Sequence, residues 1–304
     1  DHKPGAPELS RGPAFIQTPN KDTRTMRLTL LSPPESNVKL SKTQQNTETR
    51  VYGLSLAAHS LARQEVRAAT GQQDFTTCPD SSPGCRAACV VSASGQAQLD
   101  SVRLARVRKT VFLQTHRAEF LRILKAEIQS TADLAVYHGH RIRFRLNVDS
   151  SIPWHAEEYG SIPQSFPGVE FYDYHPLKAM NSRKHWRLTD IPSNLRICWS
   201  RKETDSWEAV EAAVADLQNV AVVFRDDRPH RAGRGAYNQQ LPRFVELPTL
   251  GRWPVVDGDT SDDRTEDPRG LIVGLRLKAR SEEIRSAAIR SGFSLPNFLN
   301  PCIL

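Results

Sequence analysis

No run of apolar residues in this chain approaches the roughly 18 that a membrane-spanning helix needs, and its first residues, DHKPGAPELSRGPAF, lack the apolar centre of a secretory leader. A cytoplasmic location is therefore expected. Cysteine is scarce as well, with five in 304 residues. An odd count without a regular framework argues against a disulfide scaffold, and a reducing compartment leaves such thiols free for metal. Cys302 stands third from the end, whereas a prenylation box needs its cysteine fourth, so prenylation is not expected. The chain also has no Gly-x-Ser-x-Gly elbow, no Gly-x4-Gly-Lys phosphate loop and no His-Glu-x2-His helix. Hydrolase and nucleoside-triphosphatase readings have no motif to rest on.

The residues that are present suit a folded core. At 38% hydrophobic and 25% charged, the chain has the make-up of a globular protein large enough for a substantial interior. Its net charge of +7 favours polyanionic partners, nucleic acid or phosphorylated small molecules. Lys and Arg are interspersed with Asp and Glu, so a solvated basic surface with no specific partner fits equally well.

The scarce cysteines are unevenly placed. Cys78, Cys85 and Cys89 fall within twelve residues, in TCPDSSPGCRAAC. Thiolates bind soft metals and iron-sulfur clusters, so a shared inorganic ligand is the first reading, with free structural thiols as the alternative. The spacing Cys-x6-Cys-x3-Cys differs from the Cys-x2-Cys pairs of zinc fingers, and three ligands leave a fourth position open. Cys198, in the apolar string LRICW, reads as an inert buried thiol and is also the best cysteine candidate for that fourth place.

Residues 1–35, rich in Pro, Thr, Lys and Arg, read as a flexible arm, and 36–304 as a single domain carrying the cysteine loop (78–89) and a long excursion (226–253). The segment RVYGLSLAA (50–58) alternates as a strand does. Asp100-Ser101 can cap a helix with Val102, Leu104, Val107, Val111 and Phe112 at helical spacing, and Phe120, Leu121, Leu124 and Ile128 continue in a second. Arg103, Arg106, Arg108 and Lys109 on the first of these could form an anion-binding wall or a solvated face. Short β-prone runs follow at 143–147, 169–174, 195–199, 220–224 and 271–275, with a helical run, WEAVEAAVADL, between the third and fourth. Strands separated by helices or long connections pair in parallel, which predicts an α/β fold, a β/α barrel or partial barrel, with functional residues where strands end.

Several acids and their neighbours are candidate site residues. Asp257, Asp259, Asp262, Asp263 and Asp267 form the densest acidic stretch, suited either to a hard cation or ribose hydroxyls, centred on Asp257 and Asp259, or to ordinary turns. It lacks the Glu that a calcium loop needs at its twelfth position. Asp173, within FYDY, marks a site or a buried network if it points inward, and nothing special if it points out. Arg145 and Asn147 share a face in RFRLN. The pair His138 and His140 fits a turn better than a metal site.

In the same order, TCPDSSPGCRAAC, SVRLARVRKTVF, FRLN, FYDY, NVAVVF and VVDGDTSDDRTEDPRGLIVGL resemble an uncharacterised phage and prophage family, the gene product eighty-eight-like proteins, over about Asn37 to Phe293. The resemblance implies a phage-associated protein, located in the host cytoplasm if phage-encoded. Family members carry an acid after the FRLN strand in a pattern like Thr-Ser-Asp-Ile. Here the string is Asp149-Ser150-Ser151-Ile152, with the carboxylate at Asp149.

The layout is also similar to that of radical S-adenosylmethionine enzymes, TIM barrel-like proteins in which three cysteines hold a four-iron cluster in front of a partial barrel. Their common spacing is Cys-x3-Cys-x2-Cys, from which this chain departs. That likeness implies a 4Fe–4S cluster on Cys78, Cys85 and Cys89, with zinc as the alternative metal, and S-adenosylmethionine at the open iron. It places Asp149, Asp173 and Arg145 on the catalytic side and Asn147, Asp257 and Asp259 on the cofactor side. The expected substrate is a nucleotide or nucleic acid. The competing expectation is a non-catalytic zinc-containing phage protein that binds nucleic acid.

Overall fold

The computed structural model describes residues 29–36, 40–41, 48–93, 99–182, 184–225, 240–279 and 281–297. Among these residues the fold is mixed α/β, built on a ten-stranded sheet. The strands are β1 (Leu31–Ser32), β2 (Thr49–Leu54), β3 (Arg141–Arg145), β4 (Glu170–Pro176), β5 (Leu195–Ser200), β6 (Asn219–Arg225), β7 (Phe244–Leu247), β8 (Gly251–Asp257), β9 (Ile272–Arg276) and β10 (Leu295–Pro296). Their order is β1-β2-β3-β4-β5-β6-β9-β8-β7, with β10 on β6. From β2 through β6 to β9 and β8 every pairing is parallel, while β1 and β7 close the two edges antiparallel. The carboxyl ends of the parallel strands therefore share one end of the sheet, where ligands bind in open α/β folds.

Each expected strand is present, its ends shifted by a residue or two, except that the strand expected over 50–58 stops at Leu54. The expected helices are the segments Asp100–Thr115, Arg117–Tyr137 and Trp207–Ala215, the last capped by Ser206, whose hydroxyl accepts the Ala209 N–H. The Asp100 helix does not use the expected Asp-Ser cap. Leu99 is its N-cap, without a side-chain hydrogen bond, and Asp100 sits in the first turn, where its charge suits the helix dipole. Among the described residues, no helix is long and apolar enough to cross a membrane.

Alternation along the strands sorts side chains between two faces. Phe144, Phe171, Ile197, Trp199, Val222 and Ile272 join Leu113, Phe120, Leu124, Ile128 and Val210 in one core between sheet and helices. Arg143, Arg145, Tyr172 and Tyr174, on the other face, meet the acidic connection that leads from β8 to β9. Asp263 pairs with Arg143 and Asp262 with Arg145, and Tyr172 Oη donates to Asp262 at 3.2 Å. Two buried guanidiniums would be costly alone, and the acidic stretch supplies their counter-charges.

Residues 1–28 of the expected arm lie outside the described residues. Its last part is built into the fold: Leu30 and Leu31 are buried, both donate backbone N–H groups to the Glu127 carboxylate, at 2.8–3.0 Å, and Lys109 donates to the Leu30 carbonyl at 2.6 Å. In the expected excursion, 226–239 lie outside the described residues. Its remainder is not structureless, because Phe244–Leu247 and Gly251–Asp257 form a hairpin, turned by Gly251 at φ +66°.

Candidate functional site

A cleft of about 470 Å³ opens at the carboxyl ends of the strands. Its first wall is the cysteine segment, which follows β2 by way of the Arg63–Thr70 helix. The short helix Pro83–Ala87 starts at Ser82, whose Oγ accepts the Cys85 N–H at 3.1 Å, and Pro83 suits its first turn. This turn carries Cys85 on the helix and Cys89 just beyond it. Cys78 precedes it, with its Sγ accepting the His59 N–H at 3.4 Å and donating to the Asp149 carbonyl at 3.6 Å. His59 holds a left-handed backbone, φ +47°, a conformation that costs about 1 kcal/mol in a non-glycine residue.

All three cysteines line this cleft. Burial pushes the Cys78 thiol up to about 11. The hydrogen bonds from His59 and Thr77 oppose that rise, and the neighbouring Cys89 and Cys85 add to it. Thiol donors in this number suit a soft metal or a cluster. Among the described residues, no three His, Cys, Asp or Glu side chains converge at ligand spacing for a metal ion. The three cysteines thus share a cleft without a preformed cage.

The second wall is the loop after β3, organised by Asn147. Its backbone N–H and Nδ2 donate to the two carboxylate oxygens of Asp173, at 2.9 and 3.0 Å. Nδ2 also donates to the Ile152 carbonyl, and Oδ1 accepts from Ile152 N and Ser150 Oγ, both at 2.8 Å. Ser151 N then donates to the Thr77 carbonyl at 2.9 Å, which ties this loop to the residue before Cys78. Asp149 lines the cleft and is paired with Arg106 at 3.3 Å, both side chains being buried.

The third wall joins the ends of β5, β6 and β9 to the start of the acidic connection. Lys202 is 6% exposed, donates from Nζ to Ser200 Oγ at 2.9 Å and lies 5.5 Å from the centre of the Phe293 ring. Asp259 pairs with Lys278 at 2.8 Å and Arg276 at 3.3 Å. Val148, Val223, Leu275 and Phe293 give the cleft an apolar lining.

Of the residues the sequence singles out, Cys78, Cys85, Cys89, Arg145, Asn147, Asp149, Asp259 and Asp262 line one cleft. Asp257 lies outside it, in an ion pair with Arg276 at 2.8 Å. Asp173 lies behind Asn147, in a buried chamber with His155, His175 and Trp186. Burial raises its carboxyl to about 7, against the pull of Arg145 and the Asn147 hydrogen bonds. Cys198 packs against Ala221 and Val273, beneath the cleft rather than on its wall. His138 and His140 lie before β3, at the opposite end of the sheet.

The expected basic wall is divided: Arg106 and Lys109 turn inward to Asp149 and the Leu30 carbonyl, while Arg103 and Arg108 stay exposed. Sequence reasoning passed over Ser200, Lys202 and His175. Their signal was position, at or just beyond strand ends.

The family model described as Gene product 88 matches residues 29–294. No curated protein and no solved structure matches the chain.

Proposed function

The chain belongs to the Gene product 88 family, and on that premise we propose that it is a phage-associated iron-sulfur protein of radical S-adenosylmethionine type, acting on a nucleotide or a similar anionic molecule. The observation that carries the reading is that Cys78, Cys85 and Cys89 line one cleft at the carboxyl ends of the parallel strands, after the first of them. We read β2 to β6 with β9 as a partial β/α barrel whose mouth is that cleft.

In this reading Cys78, Cys85 and Cys89 would hold a 4Fe–4S cluster, which would supply one-electron chemistry to S-adenosylmethionine. The chain's own residues do the rest. Lys202, a buried ammonium that forms no ion pair among the described residues, is placed to receive an anionic group of a ligand. Asn147 fixes the loop that carries Asp149, and the Arg106 guanidinium holds the Asp149 carboxylate in place. A cleft of about 470 Å³ suits a small molecule or one flipped-out nucleotide better than a duplex.

Anaerobic purification and reconstitution with iron and sulfide, followed by metal and sulfide analysis and absorbance, tests this. About four iron and four sulfide per chain with a brown chromophore are expected. A colourless protein with stoichiometric zinc after the same treatment overturns it and favours the zinc-containing nucleic-acid binder, in which the exposed Arg103 and Arg108 contact phosphates.

A further inference from the structure

Glu203 lies one residue beyond Lys202 and in none of the motifs above, yet it connects the end of β5 directly to the cysteine segment. Its Oε2 accepts the Ser82 hydroxyl at 2.7 Å, and its Oε1 accepts the Gly84 N–H at 2.6 Å. Ser82 passes the contact on, because the same Oγ accepts the Cys85 N–H. The joint is tight. A Cβ on Gly84 would stand 2.6 Å from Ser291 Oγ and 2.8 Å from Glu203 Oε2, so only glycine lets the turn sit between the carboxylate and the end of the Glu282–Arg290 helix. Burial would raise the Glu203 carboxyl, but the hydrogen bonds from Ser82 and Gly84 outweigh it and leave the group below its ordinary range, as expected for a carboxylate held by donors.

We propose that Glu203 is a positioning residue for the metal site: its carboxylate latches the Ser82–Gly84 turn to the end of β5 and so sets Cys85 and Cys89 against Cys78. The proposal rests on the reading of the three cysteines as a metal site. The Cys78 thiol has its own anchors, the His59 N–H and the Asp149 carbonyl of the loop after β3. Cys85 and Cys89 lie on the turn that Glu203 holds. The latch also joins the two functional parts of the cleft, because a ligand engaging Lys202 contacts the residue next to the one that sets the thiols.

The test uses the full chain in two states, with Glu203→Ala, Glu203→Gln and Gly84→Ala variants and thermal unfolding as the check on folding. Glu203→Ala removes both acceptors and Glu203→Gln one, while Gly84→Ala keeps the carboxylate and forces the turn away from it. In the reduced, metal-free protein, site-resolved reaction with a thiol reagent should be about tenfold faster at Cys85 and Cys89 in Glu203→Ala and Gly84→Ala, with Cys78 unchanged. Glu203→Gln should fall between these and the wild type.

After anaerobic reconstitution with ferrous iron and sulfide, the loss of bound iron to a chelator should follow the same order. Equal thiol rates and equal iron retention in all four proteins overturn the latch, as does a uniform rise at Cys78, Cys85 and Cys89, which marks general loosening. If the wild type binds no iron, the cluster reading fails, and the thiol rates still decide whether Glu203 orders the turn.

Discussion

Asp173 holds Asn147 by both of its donors, accepting the backbone N–H at 2.9 Å and the side-chain Nδ2 at 3.0 Å. This pairing sets one wall of the cleft, although Asp173 does not reach the cleft itself. Asn147 cannot turn its amide over, because its Oδ1 is taken by Ile152 N and Ser150 Oγ. From there the loop passes through Ser151 to the carbonyl before Cys78. A carboxylate expected on the catalytic side is therefore connected to the cleft only through another residue.

Replacing Asp173 by Asn should cost about 1–3 kcal/mol, because its new amide sets donor against donor at Asn147 Nδ2. The substitution should also change the pH dependence. Burial raises this carboxyl from an ordinary 3.8 to about 7. Its contribution is therefore full below pH 4 and lost as pH rises through 7, since the folded state binds the extra proton. Urea unfolding at pH 5 and pH 8 should show a larger fall for the wild type than for Asp173→Asn. The same fall in both would show that Asp173 does not titrate in this range.

Removing the Arg106 side chain should destabilise the fold by about 3 kcal/mol or more, because it takes the guanidinium from a buried carboxylate. The Arg106 and Asp149 side chains are 9% and 3% exposed. Arg106→Met combined with Asp149→Ala should recover much of the loss. A double-mutant cycle in chemical denaturation measures this coupling, and a value near zero would contradict the pairing.

Cys198→Ala should keep whatever metal the wild type holds. Its thiol is fully buried against Ala221 and Val273, and burial pushes it up to about 12, so it stays protonated and inert. Cys78→Ala should lose the metal. Iron per chain after reconstitution separates the two, and loss of iron in Cys198→Ala would identify it as a ligand after all.

Gly258→Ala should narrow the cleft at its third wall. A Cβ there would meet Val273 Cγ1 at 2.4 Å and Leu275 Cδ2 at 2.8 Å, which forces the acidic connection outward or the strand inward. A loss of about 1–3 kcal/mol in thermal or chemical unfolding is expected from such overpacking. An unchanged midpoint would mean that the connection yields freely.

Local order was readable because its signals are local. Alternation located β2 to β6 and β9, helical spacing located Asp100–Thr115, Arg117–Tyr137 and Trp207–Ala215, and the strand-helix order led to parallel pairing. The cysteine spacing alone marked the metal candidates. The β7–β8 hairpin was obscured by the surrounding Arg, Pro and Gly. Asp257 pairs with Arg276 outside the cleft, and an acid beside a strand has the same local pattern whether it faces a cleft or such a partner.

By itself, then, the sequence determined which segments become strands and helices and which thiols lie near one another along the chain. Tertiary structure decided where the charges went. Arg145 meets Asp262 across 117 positions, Glu203 meets Ser82 across 121, and Asp173 meets Asn147 across 26. No short window of sequence contains both partners of such a contact. Desolvation demands that a buried charge find a partner, but only the register of the parallel strands and the path of the β8–β9 connection determine which partner is within reach.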